Sequence, residues 1–213
     1  MHVIYLHGFA SSPRSQKAVY LVKRLRSLGL TVEIPDLNQG DFANLTLTRQ
    51  LVQVGALIEA VSEPLLLVGS SFGGLTAAWL AERYPQVSRL VLLAPAFEFA
   101  AQWLPKLGPE MLAEWERTGR SKFFHYGDNK FRYLNYNCIR DLQRYDDSQL
   151  QRELPTLILH GQQDETIAVE SSRRYVETHP WVKLIELPSD HTLLDSMSLV
   201  WANMKPFLPS SGR

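Results

Sequence analysis

The sequence predicts an α/β fold, a six-stranded and mostly parallel sheet with helices on both faces, and three observations lead there. Short β-branched and leucine-rich runs alternate with amphipathic segments, the runs are apolar on successive residues, and each is bounded by Gly, Pro or Asp. Strands are expected at His2–Leu6, Thr31–Ile34, Leu65–Val68, Leu90–Ala94, Thr156–His160 and Val182–Leu187. Apolarity without alternation suits strands covered on both faces.

The first helix is expected over Ser15–Leu28, where Ala18, Val19, Leu21, Val22, Leu25 and Leu28 recur at helical spacing opposite Lys17, Lys23, Arg24 and Arg26. Gly29 ends it. Leu45–Val61, Leu75–Tyr84, Val169–Thr178 and Leu193–Phe207 follow the same pattern, with Pro206 ending or kinking the last. The segment Ala96–Gln151 breaks the alternation between the fourth and fifth strands, and it is expected to form a helical, lid-like insertion. The tail Pro209–Arg213 is expected to fray.

A chain of 213 residues with 45% hydrophobic composition suits a single domain, residues 1–213, with the insertion at 96–151 inside it. Basic and acidic residues balance at 22 each, which leaves no net field for nucleic acid or an anionic bilayer. The lone cysteine, Cys138, cannot form an internal disulfide and favours a reducing compartment. The start, Met1-His-Val-Ile-Tyr-Leu-His-Gly-Phe9, lacks a basic, then apolar secretory leader, and no apolar run reaches the roughly 20 residues of a membrane helix. A soluble cytoplasmic protein is expected; the oligomeric state is left open.

The chemistry centres on Gly69-Ser70-Ser71-Phe72-Gly73, a G-x-S-x-G motif between an apolar strand and a helix. Such an elbow holds its serine in a strained conformation, and side chains in place of the glycines would clash in so tight a turn. A phosphate loop is disfavoured because no Lys-Ser/Thr pair follows the glycines.

Serine needs a base and an orienting acid, and the chain supplies them in the order Ser, Asp, His. Asp164 lies a few residues past the fifth strand and His191 follows the last; all three expected triad members, Ser71, Asp164 and His191, fall at C-terminal strand ends. Asp190 is adjacent to His191 and poorly able to reach round to its Nδ1, whereas Asp195, one turn on, is the more serious rival acid. The backbone N–H groups of Phe9, after the first strand, and Phe72, after the nucleophile, are the expected oxyanion donors. His7 reads as a turn stabiliser, His160 as structural, and His125 and His179 as surface residues. His2 and His7, an odd number of residues apart on one strand, face opposite sides; no Cys/His spacing suggests zinc, and no cofactor is expected.

The runs Leu6-His-Gly-Phe-Ala-Ser-Ser-Pro-Arg-Ser-Gln-Lys-Ala18 and Gly69-Ser-Ser-Phe-Gly-Gly74, with the late Asp and His, resemble the small bacterial esterases typified by YqiA and YcfP. That resemblance implies an α/β-hydrolase core lacking the first two strands of larger relatives. It also implies carboxylesterase or thioesterase activity without a cofactor, and it puts Ser71, Asp164 and His191 in the triad. The Ala96–Gln151 segment looks longer than in those proteins.

The expected function is therefore hydrolysis of a small-molecule carboxylic ester or thioester through an acyl-enzyme. Two alternatives stay open: the same triad used for lyase or carbon–carbon bond hydrolysis, and a ligand-binding homologue with little turnover. Haloalkane dehalogenation is disfavoured, since it wants a carboxylate in place of Ser71. Ten of the 22 aromatic residues fall within about 40 positions of the insertion, from Phe97 to Tyr136. They are either its own small core or the apolar wall of a substrate site, with Trp103 and Trp115 as the candidate substrate-binding residues.

Overall fold

The computed structural model describes residues 1–208, so Pro209–Arg213 lie outside the described residues. Six parallel strands form the central sheet: β1 (His2–Leu6), β2 (Thr31–Glu33), β3 (Leu65–Ser70), β4 (Val87–Leu93), β7 (Thr156–Gly161) and β8 (Val182–Leu187). Their order is β2-β1-β3-β4-β7-β8, so the strand carrying the G-x-S-x-G motif is central.

Side-chain alternation sends each strand's apolar residues to two separate cores. Ile4, Leu6, Leu65, Leu67, Leu90, Leu92 and Ile158 pack on one face beneath α2 (Leu47–Glu59), α3 (Phe72–Arg83) and α7 (Val169–Thr178). Val3, Tyr5, Leu66, Val68, Val91, Leu93, Leu157 and Leu159 pack on the other beneath α1 (Gln16–Ser27) and α8 (Met197–Phe207). Each fully buried aliphatic side chain contributes about 1.5–3 kcal/mol. The two outer strands depart from the all-apolar pattern, with Thr31 and Lys183 exposed, as suits strands with one solvated edge.

Helix starts differ from the sequence expectation for local reasons; α3 begins at Phe72, directly after the Ser71 turn, in place of the expected Leu75. Thr46 accepts the Arg49 N–H at 3.1 Å and so caps α2 one residue before Leu47, while Phe42–Asn44 turn separately as a 3-10 segment. Leu193, at φ 55°, breaks the run into α8, which begins only at Met197, and Pro206 lies in its last turn.

The insertion is richer than a set of helices. It carries α4 (Phe99–Leu107), α5 (Pro109–Thr118) and α6 (Asn137–Leu142), but between α5 and α6 an antiparallel hairpin pairs β5 (Arg120–His125) with β6 (Lys130–Asn135). Basic residues interleaved with Phe123, Phe124, Phe131 and Tyr133 hid this alternation in the sequence. The hairpin folds back on the β1–α1 loop, where Gly127 N–H donates to the Ala10 carbonyl at 3.3 Å. His125 is consequently buried, edge-on to Phe42 with ring centroids 4.9 Å apart, and is not a surface residue. His179 is also buried, stacked on Tyr175 at 3.9 Å, because the end of α7 packs against the end of the insertion near Leu150.

Candidate active site

Ser71 sits between β3 and α3 at φ 52° and ψ −119°, a left-handed conformation that costs a non-glycine residue about 1–3 kcal/mol. The turn is held by its own backbone: Ser71 N–H donates to Leu93 O at 2.8 Å, and Ser71 O accepts from Gly74 at 2.7 Å, Leu75 at 3.1 Å and Ala96 at 3.1 Å. A Cβ at Gly69 would collide with the Gly73 backbone, and one at Gly73 with the Leu6 and His7 carbonyls. Both glycines are required by close approach of backbone to backbone.

The acid and the imidazole come from two loops joined by main-chain hydrogen bonds. Gln162 N–H reaches Leu187 O at 2.8 Å and Gln163 N–H reaches Ser189 O at 3.0 Å, while Gly161 lies directly against the Ser189 and Asp190 carbonyls. This brings Asp164, His191 and Ser71 into one chain. His191 Nδ1 donates to Asp164 Oδ2 at 2.7 Å, and its Nε2 lies 2.9 Å from Ser71 Oγ. An ionised carboxylate only accepts, so the hydrogen is on Nδ1 and Nε2 is left to accept from the serine hydroxyl.

Asp164 has an inaccessible side chain, and burial alone would raise its pKa. Hydrogen bonds from His160 and His191 oppose that, together with the backbone amides of Thr166 and Ile167, each 2.8 Å from Oδ1. The carboxyl is held well below the usual carboxylate range. The rivals are engaged elsewhere. Asp190 Oδ1 accepts from the Thr192 amide at 2.8 Å and the Thr192 hydroxyl at 2.6 Å, and Asp195 accepts from the Ser189 hydroxyl.

Phe72 opens α3, so its N–H has no helical acceptor. The Phe9 N–H makes no hydrogen bond among the described residues. The loop bearing Phe9 presses on Ser71: a Cβ on Gly8 would stand 3.3 Å from Ser71 Cβ. His7 shapes this loop, taking the Leu37 N–H on Nε2 at 3.0 Å and donating from Nδ1 to Gly8 O at 3.0 Å.

Ser71 and His191 open into a cavity of about 1110 Å³. Its apolar wall combines Phe9 with Phe99, Trp103, Phe123, Phe124 and Tyr126 of the insertion. Trp103 stacks on Phe99 with centroids 5.0 Å apart. The other candidate, Trp115, is fully buried behind that wall; its Nε1–H donates to Leu134 O at 2.9 Å and its ring packs on Phe123 at 4.9 Å. Trp115 therefore supports the wall and does not line the cavity, which corrects the sequence expectation.

Two basic residues that sequence reasoning passed over, Arg14 and Lys17, also line the cavity. Their place in the loop and first turn after β1 was the available signal, since C-terminal strand ends hold the sites of parallel sheets. Among the described residues no group of three or more His, Cys, Asp or Glu side chains could hold a metal ion, and no helix is long and apolar enough to cross a membrane. Burial pushes the Cys138 thiol up to about 12, so it is not an alternative nucleophile.

Solved structures share this architecture. Alpha/beta hydrolase domain-containing protein 10 from mouse superimposes with a TM-score of 0.79 at 22% identity, over 96% of this chain and 88% of that one. Est1E from Butyrivibrio proteoclasticus gives 0.74 at 22%, over 97% and 86%. The monoacylglycerol lipase of Paleococcus ferrophilus gives 0.76 at 18%, over 97% and 95%. A comparison with curated protein sequences gives no match. At these identities the likeness establishes the α/β-hydrolase fold. A family model described as "Uncharacterised protein family (UPF0227)" matches residues 2–208, inserted segment included, and the chain belongs to that family, the one typified by YqiA and YcfP.

Proposed function

We propose that the protein is a serine hydrolase that cleaves a carboxylic ester or thioester through an acyl-enzyme. The observation that carries this reading is the hydrogen-bonded series Ser71, His191, Asp164, at 2.9 and 2.7 Å, on a strained elbow facing a cavity. In it Ser71 Oγ attacks the acyl carbon while His191 Nε2 takes its proton. Asp164 keeps the imidazole in the accepting tautomer and stabilises the imidazolium. The Phe9 and Phe72 N–H groups take the charge that develops on the carbonyl oxygen. His191 returns the proton to the leaving alcohol or thiol, and water then releases the acid by the same route.

The likeness to a lipase and to Est1E, a structure of which has ferulic acid bound, is compatible with ester chemistry. The aromatic wall suits an acyl or aryl group of low polarity. A panel of esters and thioesters of increasing acyl length tests the reading on wild type, Ser71→Ala and Ser70→Ala. Hydrolysis is expected to vanish in Ser71→Ala and persist in Ser70→Ala. Persistence in Ser71→Ala would refute the assignment.

A further inference from the structure

Lys17 is placed where a cation is least at ease. It is the second residue of α1, after the Ser15 cap, and that first turn contains no acidic residue. The positive end of the helix dipole disfavours a cation there. The residue is half-buried, and burial pulls its pKa down to about 8 against the opposing influence of Asp164 and Asp190. Among the described residues its amine forms no ion pair or hydrogen bond. The two carboxylates that act on it are already engaged, Asp164 by two histidines and two amides, Asp190 by Thr192.

Two unfavourable terms at one side chain, offset only by the charges of Asp164 and Asp190 and by no ion pair or hydrogen bond, mark a position shaped for something other than stability. Lys17 lines the cavity that holds Ser71 and His191, and Arg14, exposed and likewise without an ion pair among the described residues, lines it one turn earlier. Both cations approach from the β1 side of the nucleophile. The cavity's carboxylates, Glu165 and Asp190, come from the loops after β7 and β8.

We infer that the substrate carries an anionic group, a carboxylate or phosphate, which Lys17 binds and Arg14 attracts at the same end of the cavity. This inference rests on the esterase reading of the site and narrows its substrate class to amphiphilic esters with an apolar part against Trp103 and a charged part at α1. A charge-assisted hydrogen bond to a partly desolvated amine discriminates by about tenfold or more.

Two pairs of near-isosteric esters test it. 4-Nitrophenyl hydrogen glutarate against 4-nitrophenyl 5-methylhexanoate puts the charge on the acyl side; 4-acetoxybenzoate against 4-isopropylphenyl acetate puts it on the leaving side. In at least one pair the anionic-to-neutral ratio of kcat/KM is expected to fall about tenfold or more from wild type to Lys17→Met and to be retained in Lys17→Arg. Arg14→Gln, on an exposed side chain, is expected to lose part of the same ratio, which keeps the test open if Lys17→Met does not fold. Ratios within about twofold of wild type in both variants and both pairs would overturn the inference.

Binding of the same four compounds to Ser71→Ala, with and without the Lys17 change, separates this outcome from failure of the esterase reading. If wild type hydrolyses none of them, that reading fails, and the ratio of dissociation constants still decides whether an anion is bound. Tighter binding of the anionic member that depends on Lys17 supports the inference. Binding without such a preference overturns it.

Discussion

His160 and His191 converge on one oxygen: His160 Nε2 lies 3.1 Å and His191 Nδ1 2.7 Å from Asp164 Oδ2. The shorter contact belongs to the imidazole that reaches Ser71, and the longer to one whose Nε2 also lies 3.0 Å from the Ile167 carbonyl. A carboxylate so supplied with donors stays ionised and fixed in direction. Asp164→Asn should therefore lower turnover by about two to four orders of magnitude, by presenting an amide where an anion stabilises the imidazolium. Asp195→Asn, at a residue bound to Ser189, should change it far less. Kinetic comparison of the two variants checks this, and the reverse ranking would transfer the acid to the segment before α8.

His160 anchors Asp164 without reaching the serine. With two acceptors facing Nε2, its hydrogen is on that nitrogen, and Nδ1 accepts the Ser172 hydroxyl at 2.8 Å. His160→Phe leaves Ser172 and one Asp164 lone pair without partners in a fully buried site, at a cost of about 1–3 kcal/mol. Denaturant unfolding should show that loss. The turnover number should fall with KM little changed; a loss confined to KM would contradict a role in orienting the acid.

The depressed Asp164 pKa has a definite sign in stability. Its folded value lies below the unfolded one of about 3.9, so the contribution is present above that pH and is lost as pH falls toward the folded value. Urea unfolding at about pH 6, 4 and 3 should show wild type losing more stability on acidification than Asp164→Asn. Asp36, held down to about 2, acts in the same range but is common to both proteins. Parallel losses would show that Asp164 is not so held.

Trp103 and Trp115 should separate cleanly. Trp103→Ala removes part of the cavity wall and should raise KM for long-chain or aromatic esters more than for acetate. Trp115→Ala opens a void in a fully buried position and should destabilise by about 3–5 kcal/mol, without selectivity by chain length. An ester panel with thermal unfolding on both variants distinguishes the effects. Equal KM changes for every ester in Trp103→Ala would reduce that residue to packing as well.

Much of this architecture could be read from local pattern, and what escaped has a common cause. The inner strands and the elbow announce themselves because a doubly covered parallel strand is mostly apolar on successive residues and Gly69 and Gly73 flank a serine between strand and helix. The hairpin β5–β6 escaped because only some of its residues are buried, so Lys122, Lys130 and Arg132 dilute its alternation. His125 and His179 look like surface residues in their polar neighbourhoods and are buried only through tertiary packing. Lys17 reads as one more charge on the solvent face of an amphipathic helix; its position at the first turn, beside the cavity, depends on where β1 ends relative to β3.

The central claim, that Ser71 is the nucleophile, is tested most directly by mass spectrometry of the intact protein and its peptides after exposure to a fluorophosphonate. The account predicts a single phosphonylation on the peptide containing Ser71, absent in Ser71→Ala, retained in Ser70→Ala and slowed sharply in Asp164→Asn. An unmodified wild-type protein, or a modification that persists in Ser71→Ala, would contradict it.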